Sequence, residues 1–293
     1  MFTGSCVALV TPMNGDGSVD FPALKGLVQW HLAEKTAAIV ICGTTGESAT
    51  LISSEWAQVV ETTVKEVAGK IPVIAGTGTN ATEQTIEKTL QAKALGCDGA
   101  LVVTPYYNRP TQEGLIRHFT AVHDAVNFPI ILYNVPSRTG CDLLPETAAI
   151  LSRLDNMIGI KEATGDLSRV AILNETCDMP FKLYSGDDSS CAAFMIQGGH
   201  GVISVVANIV PRALQTMCEF IFSGQTEEAL KINEKLQPLY KIMGIESNPI
   251  PVKWALKEMG RIQGGIRLPL TPLSSKYQDS VRETLKQGGV AHA

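Results

Sequence analysis

Eight short apolar runs recur through the first 206 residues, and a stretch of helical period separates most of them from the next. That alternation leaves few architectures open. The runs fall at 6–10, 37–41, 71–75, 100–103, 129–132, 157–160, 181–184 and 201–205. Most are continuous rather than alternating, as expected of parallel strands covered on both faces. Between them, Trp56, Val59, Val60, Val64 and Val67 share one stripe of a helix over 53–67, with Ser53 or Ser54 as its N-cap. Over 80–95, Asn80 and Glu83 have capping-box spacing, Ile86 and Leu90 share a face, and Gly96 stands where a C-terminal cap belongs. Leu24, Leu27, Val28 and His31 repeat the pattern over 21–31. Strand and helix in eightfold alternation predict an α/β fold, the (β/α)8 TIM barrel, which typically takes about 250 residues. The barrel is assigned to 1–222. The remainder, 223–293, has no clear strand and reads as two or three helices, broken near Asn248-Pro249-Ile250-Pro251 and Leu268-Pro269. This C-terminal helical extension is expected to pack on the barrel or build a subunit contact.

Composition narrows the class. A chain of 293 residues with 45% hydrophobic and 18% charged residues builds a sizeable core. A net charge of −5 with no Lys/Arg cluster excludes nucleic acid as an expected partner. The first ten residues hold no basic and apolar leader, and no apolar run approaches the ~20 residues of a membrane span, so a cytoplasmic, soluble chain with no membrane partner is expected. Seven widely spaced cysteines, none in a Cys-x-x-Cys pair, suit free thiols in a reducing compartment. The five histidines show no H-x-H spacing and the carboxylates do not cluster, so no metal site is expected.

In a barrel, chemistry gathers where the loops leave the C-terminal ends of the strands. The sixth run delivers a single lysine there, Lys161, in Met157-Ile158-Gly159-Ile160-Lys161-Glu162-Ala163. A lysine at the end of a buried strand either snorkels to water or is held partly desolvated, which frees its lone pair for attack on a carbonyl. The second run is followed by Gly43-Thr44-Thr45-Gly46-Glu47-Ser48, either a tight turn or a cradle of N–H and hydroxyl donors for a carboxylate. The fourth leads into Tyr106-Tyr107-Asn108-Arg109-Pro110, where the two phenols cannot both point to one face of an extended segment. The fifth ends in Tyr133 and opens the loop of Arg138. Tyr133 is either a packed core aromatic or a general acid/base. Arg138 is either solvated or a grip on a carboxylate. After the seventh run, Asp187 and Asp188 stand where a phosphate-binding barrel wants glycines. An amine nucleophile, a phenol to move protons and a carboxylate cradle together describe a Schiff-base enzyme for an α-keto acid, of which pyruvate is the simplest.

These motifs, with Tyr133-Asn134-Val135-Pro136-Ser137-Arg138-Thr139-Gly140, resemble the dihydrodipicolinate synthase family of pyruvate-dependent lyases, and the resemblance runs from Met1 to the C-terminal helices. It implies an imine between Lys161 and pyruvate with no other cofactor. Tyr133 would relay protons, linked through Thr44 to a Tyr107 donated by the adjacent subunit of a homotetramer. Thr45 would hold the pyruvate carboxylate and Arg138 that of L-aspartate-4-semialdehyde, with the backbones of Gly186 and Ile203 lining the site. The implied product is 4-hydroxy-tetrahydrodipicolinate, which opens the diaminopimelate–lysine branch. Lysine-sensitive members bind an effector through positions matching Ser48, Ala49, Asn80 and Tyr106. They carry histidines at the positions of Ser53 and Trp56, and an acid at that of Gln84. The loss of that acid removes a charge-assisted bond of ~1.5–3 kcal/mol, so weak or absent inhibition by L-lysine is expected. The nearest alternatives are other pyruvate-dependent aldolases, such as N-acetylneuraminate lyase or a 2-keto-3-deoxy sugar-acid aldolase. Arg138 in its Ser-Arg-Thr-Gly loop and the Tyr106-Tyr107 pair favour the semialdehyde enzyme. A barrel that only binds a keto acid, without capturing it, is the rival from another class.

Overall fold

Parallel pairing runs unbroken around this chain. The computed structural model describes residues 2–178 and 180–290; Met1 and the tail 291–293, with His292, lie outside the described residues. The strands are β1 (Gly4–Ala8), β2 (Ala38–Ile41), β3 (Val73–Gly76), β4 (Gly99–Val103), β5 (Ile130–Asn134), β6 (Met157–Glu162), β7 (Lys182–Ser185) and β8 (Gly201–Ser204). Each pairs with the next and β8 returns to β1, closing the barrel. Although the runs read as continuous apolar sequence, their side chains alternate between two cores. Cys6, Ala8, Val40, Ile74, Leu101 and Ile131 fill the lumen, whereas Val7, Ile39, Ala75, Val102 and Leu132 pack beneath the surrounding helices. Each fully buried Val, Leu or Ile stabilises the fold by roughly 1.5–3 kcal/mol relative to exposure.

β6 departs from that alternation, and the departure sets the site. Met157 packs outward and Ile158 inward, so strict alternation would turn Ile160 inward and Lys161 outward. A register shift opposite Ile130/Ile131 reverses the parity: Ile160 joins the outer core and Lys161 faces the lumen, opposite Tyr133. One extra residue in a strand moves every later side chain to the other face. Gly159 permits it, because a Cβ there would collide with the backbone carbonyl of Lys182.

The helices confirm the 53–67 stripe and correct its cap. In Ser53–Val67, Trp56, Val59, Val60 and Val67 are buried, but the N-cap is Ile52, whose N–H donates to Glu55 at 3.1 Å. Ser53 and Ser54 are the first helical residues and lie exposed. The next helix is Thr82–Ala94, capped at Ala81, so Asn80 and Glu83 form no capping box. Its buried face is Thr85, Thr89 and Ala92 rather than Ile86 and Leu90; Leu90 is exposed. Hydroxyls replace methyls there because each has a partner: Thr89 donates to the Thr77 hydroxyl at 2.8 Å and Thr85 to the Ala81 carbonyl at 3.0 Å. His31 and His118 are packing groups whose pKa values burial pushes down to about 3 and about 4.

Among the described residues three helices follow the barrel's last, Pro211–Phe222: Thr226–Met243, Ile250–Glu258 and Ser275–Gln287. Val252, Leu256, Val281 and Leu285 from them enter the outer core. Lys253, buried, forms an ion pair with the buried Glu47 of the loop after β2. Among the described residues no helix is long and apolar enough to cross a membrane.

Candidate active site

At the C-terminal ends of the strands lies a cavity of about 200 Å³, lined among others by Thr44, Thr45, Tyr133, Arg138, Lys161 and Gly186. It is several times the roughly 30 Å³ share of one water, enough for a small organic acid. Lys161 is 6% exposed, and its Nζ sits 4.3 Å from the centroid of the Tyr133 ring. Strand pairing sets this contact, because Tyr133 and Lys161 are register partners on β5 and β6. Gly186 closes the site from β7. A Cβ there would lie 2.6 Å from Ala163 Cβ and 2.9 Å from Lys161 Cε, so any side chain would displace the lysine.

No carboxylate pairs with Lys161 among the described residues. Glu162 faces away: its Oε2 accepts from Asn134 at 3.1 Å and from Arg169 at 3.5 Å. Asp187 lines the cavity, yet its Oδ2 accepts from Ser189 and from the Ser190 N–H and hydroxyl. Asp188 turns back to accept from the N–H groups of Val205 and Val206. An ion pair would engage the amine's hydrogens; none does. Cys6, the other nucleophile in the lumen, stays a thiol because burial pushes its pKa far up.

Of the lumen phenols one is available. Tyr184, the other register partner of Lys161, donates its hydroxyl to the Phe2 carbonyl at 3.0 Å and stacks on the Phe2 ring. Tyr133 packs its ring in the lumen core, and its hydroxyl has no hydrogen-bond partner among the described residues. Nor does any hydrogen bond join Thr44, Tyr133 and Tyr107 within one chain. Tyr107 stands 90% exposed at φ +74, a phenol projecting from the barrel. Ile203 is buried in the lumen core, and Val205, not Ile203, lines the cavity wall.

Arg138 rides on a one-turn helix, Pro136–Thr139, ended by Gly140 in the left-handed region at φ +69. The loop is anchored beyond it, where Asp142 takes two bonds from the Arg169 guanidinium, at 2.9 and 2.5 Å. Burial opposes the Asp142 charge, but hydrogen bonds from Arg169 and Asn134 outweigh it and hold the carboxyl below its ordinary pKa. Thr45 is nearly buried, and its hydroxyl oxygen accepts from Asn248 Nδ2 at 2.9 Å. Sequence reasoning missed Asn248. It lies 203 residues from Thr45, inside what reads only as a helix break.

A second cavity of about 440 Å³ adjoins the first, sharing Thr44 and Arg138. Ser48, Ala49 and Tyr106 line it, as does Lys88. Ser53, Trp56, Asn80 and Gln84 do not. Trp56 is buried with its Nε1 donating to the Gly76 carbonyl at 3.3 Å, and Gln84 is exposed. The Asn80 carbonyl accepts from Asn108 at 2.8 Å. Lys88 Nζ lies 5.3 Å from the Trp56 ring centroid, with no carboxylate in ion-pair reach among the described residues.

Comparison with known proteins agrees across the chain. A model of the dihydrodipicolinate synthetase family matches residues 1–288. The 4-hydroxy-tetrahydrodipicolinate synthase of Methylococcus capsulatus is 54% identical over 290 residues, covering 99% of this chain and 100% of that protein. A pyruvate complex of chloride-inhibited dihydrodipicolinate synthase from Acinetobacter baumannii superposes with a TM-score of 0.96 at 48% identity, covering 99% of this chain and 100% of that one. Dihydrodipicolinate synthase from Aquifex aeolicus gives 0.97 at 43%, with 99% of each chain covered.

Proposed function

We infer the chemistry from one premise: this chain belongs to the dihydrodipicolinate synthetase family. It is a lyase that condenses pyruvate with L-aspartate-4-semialdehyde to 4-hydroxy-tetrahydrodipicolinate, the first step of the diaminopimelate–lysine branch. The Lys161 amine attacks the keto carbon of pyruvate, water leaves, and the resulting iminium acidifies the methyl group. Tyr133 moves the protons. The enamine attacks the aldehyde, and closure by the semialdehyde's own amine onto the imine carbon releases Lys161. Thr45 holds the pyruvate carboxylate, Arg138 the second acid, and Gly186 leaves room for the adduct.

The observation that carries this reading is an amine without an ion-pair partner, 4.3 Å from a phenol ring centroid, in a cavity walled by Thr45 and Arg138. A sugar-acid aldolase needs no arginine for an aldehyde's carboxylate. A direct comparison of substrates tests the assignment: turnover with pyruvate and aspartate semialdehyde, and none with sialic or 2-keto-3-deoxy sugar acids. The reverse pattern would transfer the chain to a sister activity.

The barrel over 1–222 is the catalytic unit in this reading, and the helical region over 223–293 braces its mouth through Asn248 and Lys253. The chain assembles as a homotetramer in which Tyr107 of one subunit completes the Thr44–Tyr133 relay of the next; the exposure of Tyr107 supports this. The second cavity is a degenerate effector site. Lys88 adds a cation where a ligand ammonium would need an acid, and the carboxylate in the lining, Glu47, is already paired with Lys253. In a coupled assay L-lysine at sub-millimolar concentration is expected to leave the rate essentially unchanged; strong inhibition there would refute the degenerate site.

A further inference from the structure

Asn248 reaches the active-site cavity from the C-terminal extension, and the roles assigned above do not use its chemistry. Its Nδ2 donates to Thr45 Oγ1 at 2.9 Å, and its backbone carbonyl accepts from Arg138 Nη2 at 3.5 Å. One residue therefore touches both side chains to which carboxylate binding is assigned. A threonine hydroxyl carries one proton and two lone pairs. With an amide N–H occupying a lone pair, the Thr45 proton is left to turn into the cavity. An acceptor in the same place would take that proton and leave a lone pair facing the substrate carboxylate. The other end of the amide, Oδ1, is buried without a hydrogen-bond partner among the described residues. With Nδ2 on Thr45, the acceptor end of the amide goes unmatched.

We propose that Asn248 is a positioning residue of the condensation: its amide presets Thr45 as a donor to the keto-acid carboxylate, and its carbonyl holds Arg138 to the same wall. This rests on the functional reading above. Four variants test it: Thr45→Val, Asn248→Ala, Asn248→Asp and Asn248→Ala in the Thr45→Val background. Each is measured for the KM of pyruvate, for kcat, for melting temperature and for borohydride trapping at saturating pyruvate.

Asn248→Ala is expected to raise the KM of pyruvate roughly three- to tenfold, the share of one hydrogen bond. Asn248→Asp, which turns the donor into a charged acceptor, raises it roughly ten- to a hundredfold. Trapping still labels Lys161 in both. Without the Thr45 hydroxyl, Asn248→Ala changes KM by less than about twofold, which a merely structural role would not produce. An unchanged KM in Asn248→Asp would mean that the amide oxygen faces Thr45, and would overturn the proposal. So would an Asn248→Ala effect of equal size with and without the Thr45 hydroxyl. Absence of a Lys161 adduct in the parent chain would instead overturn the functional reading, and this inference with it.

Discussion

Lys161→Ala yields a folded chain that forms no reducible adduct with pyruvate and turns over on the order of 10⁴–10⁶-fold more slowly, as when other enzymes lose their nucleophile. The fold survives because the lost amine has no ion-pair partner among the described residues. Removing a buried, unpaired polar group leaves stability within roughly 1 kcal/mol or raises it. Tyr133→Phe separates the two roles. It keeps the ring against Lys161 and removes only the hydroxyl, so the adduct still forms while turnover falls roughly 10²–10⁴-fold. Steady-state rates with borohydride trapping check both. Turnover within tenfold of the parent in Lys161→Ala would rule the amine out as nucleophile.

The second large effect is on stability, and it lies outside the cavity. Lys253 and Glu47 are both almost fully buried and bonded to each other. Burial lowers the lysine's pKa, and the Glu47 charge opposes that shift. Glu47 also accepts from the Arg267 N–H at 3.2 Å while holding a left-handed backbone at φ +54. Arg267 in turn binds Glu55 at 2.6 and 2.7 Å and the Thr50 carbonyl at 2.8 Å. The loop that carries Thr44 and Thr45 is thus stapled to the C-terminal extension on its buried side. Lys253→Met strands a carboxylate in the core and is expected to destabilise the chain by about 3–5 kcal/mol. In a chain of this size that lowers the melting temperature by roughly 5–8 °C. Adding Glu47→Leu recovers much of the loss, since a pair replaced by apolar groups of similar volume is often neutral. A Lys253→Met melting temperature within 2 °C of the parent, roughly a 1 kcal/mol effect, would contradict this account.

The barrel was legible because its signal is repeated: eight apolar runs, each with a polar loop at its end, point to one closed sheet. That Lys161, Tyr133, Thr45 and Arg138 line one cavity was legible for a related reason, each being a chemically distinctive residue at a strand end or in the loop that follows one. What stayed hidden depends on geometry that periodicity does not carry. The reversal in β6 that turns Lys161 into the lumen leaves no trace in hydropathy beyond Gly159, and a strand glycine has several meanings. The buried face of Thr82–Ala94 is built on hydroxyls, so a search for apolar stripes selected Ile86 and Leu90 instead. Tyr184 carries the same phenol as Tyr133, and only the fold shows that the Phe2 carbonyl takes its hydroxyl. Asn248 was invisible because the contact that matters joins residues 203 apart.

One measurement reaches the centre of this account. The intact protein is incubated with pyruvate, reduced with borohydride, digested, and mapped by peptide mass. The expected result is a single modified peptide containing Lys161, dependent on pyruvate and lost in Lys161→Ala. A modification on any other lysine, or none at saturating pyruvate, would contradict the claim that a three-carbon keto acid is captured covalently at this strand end.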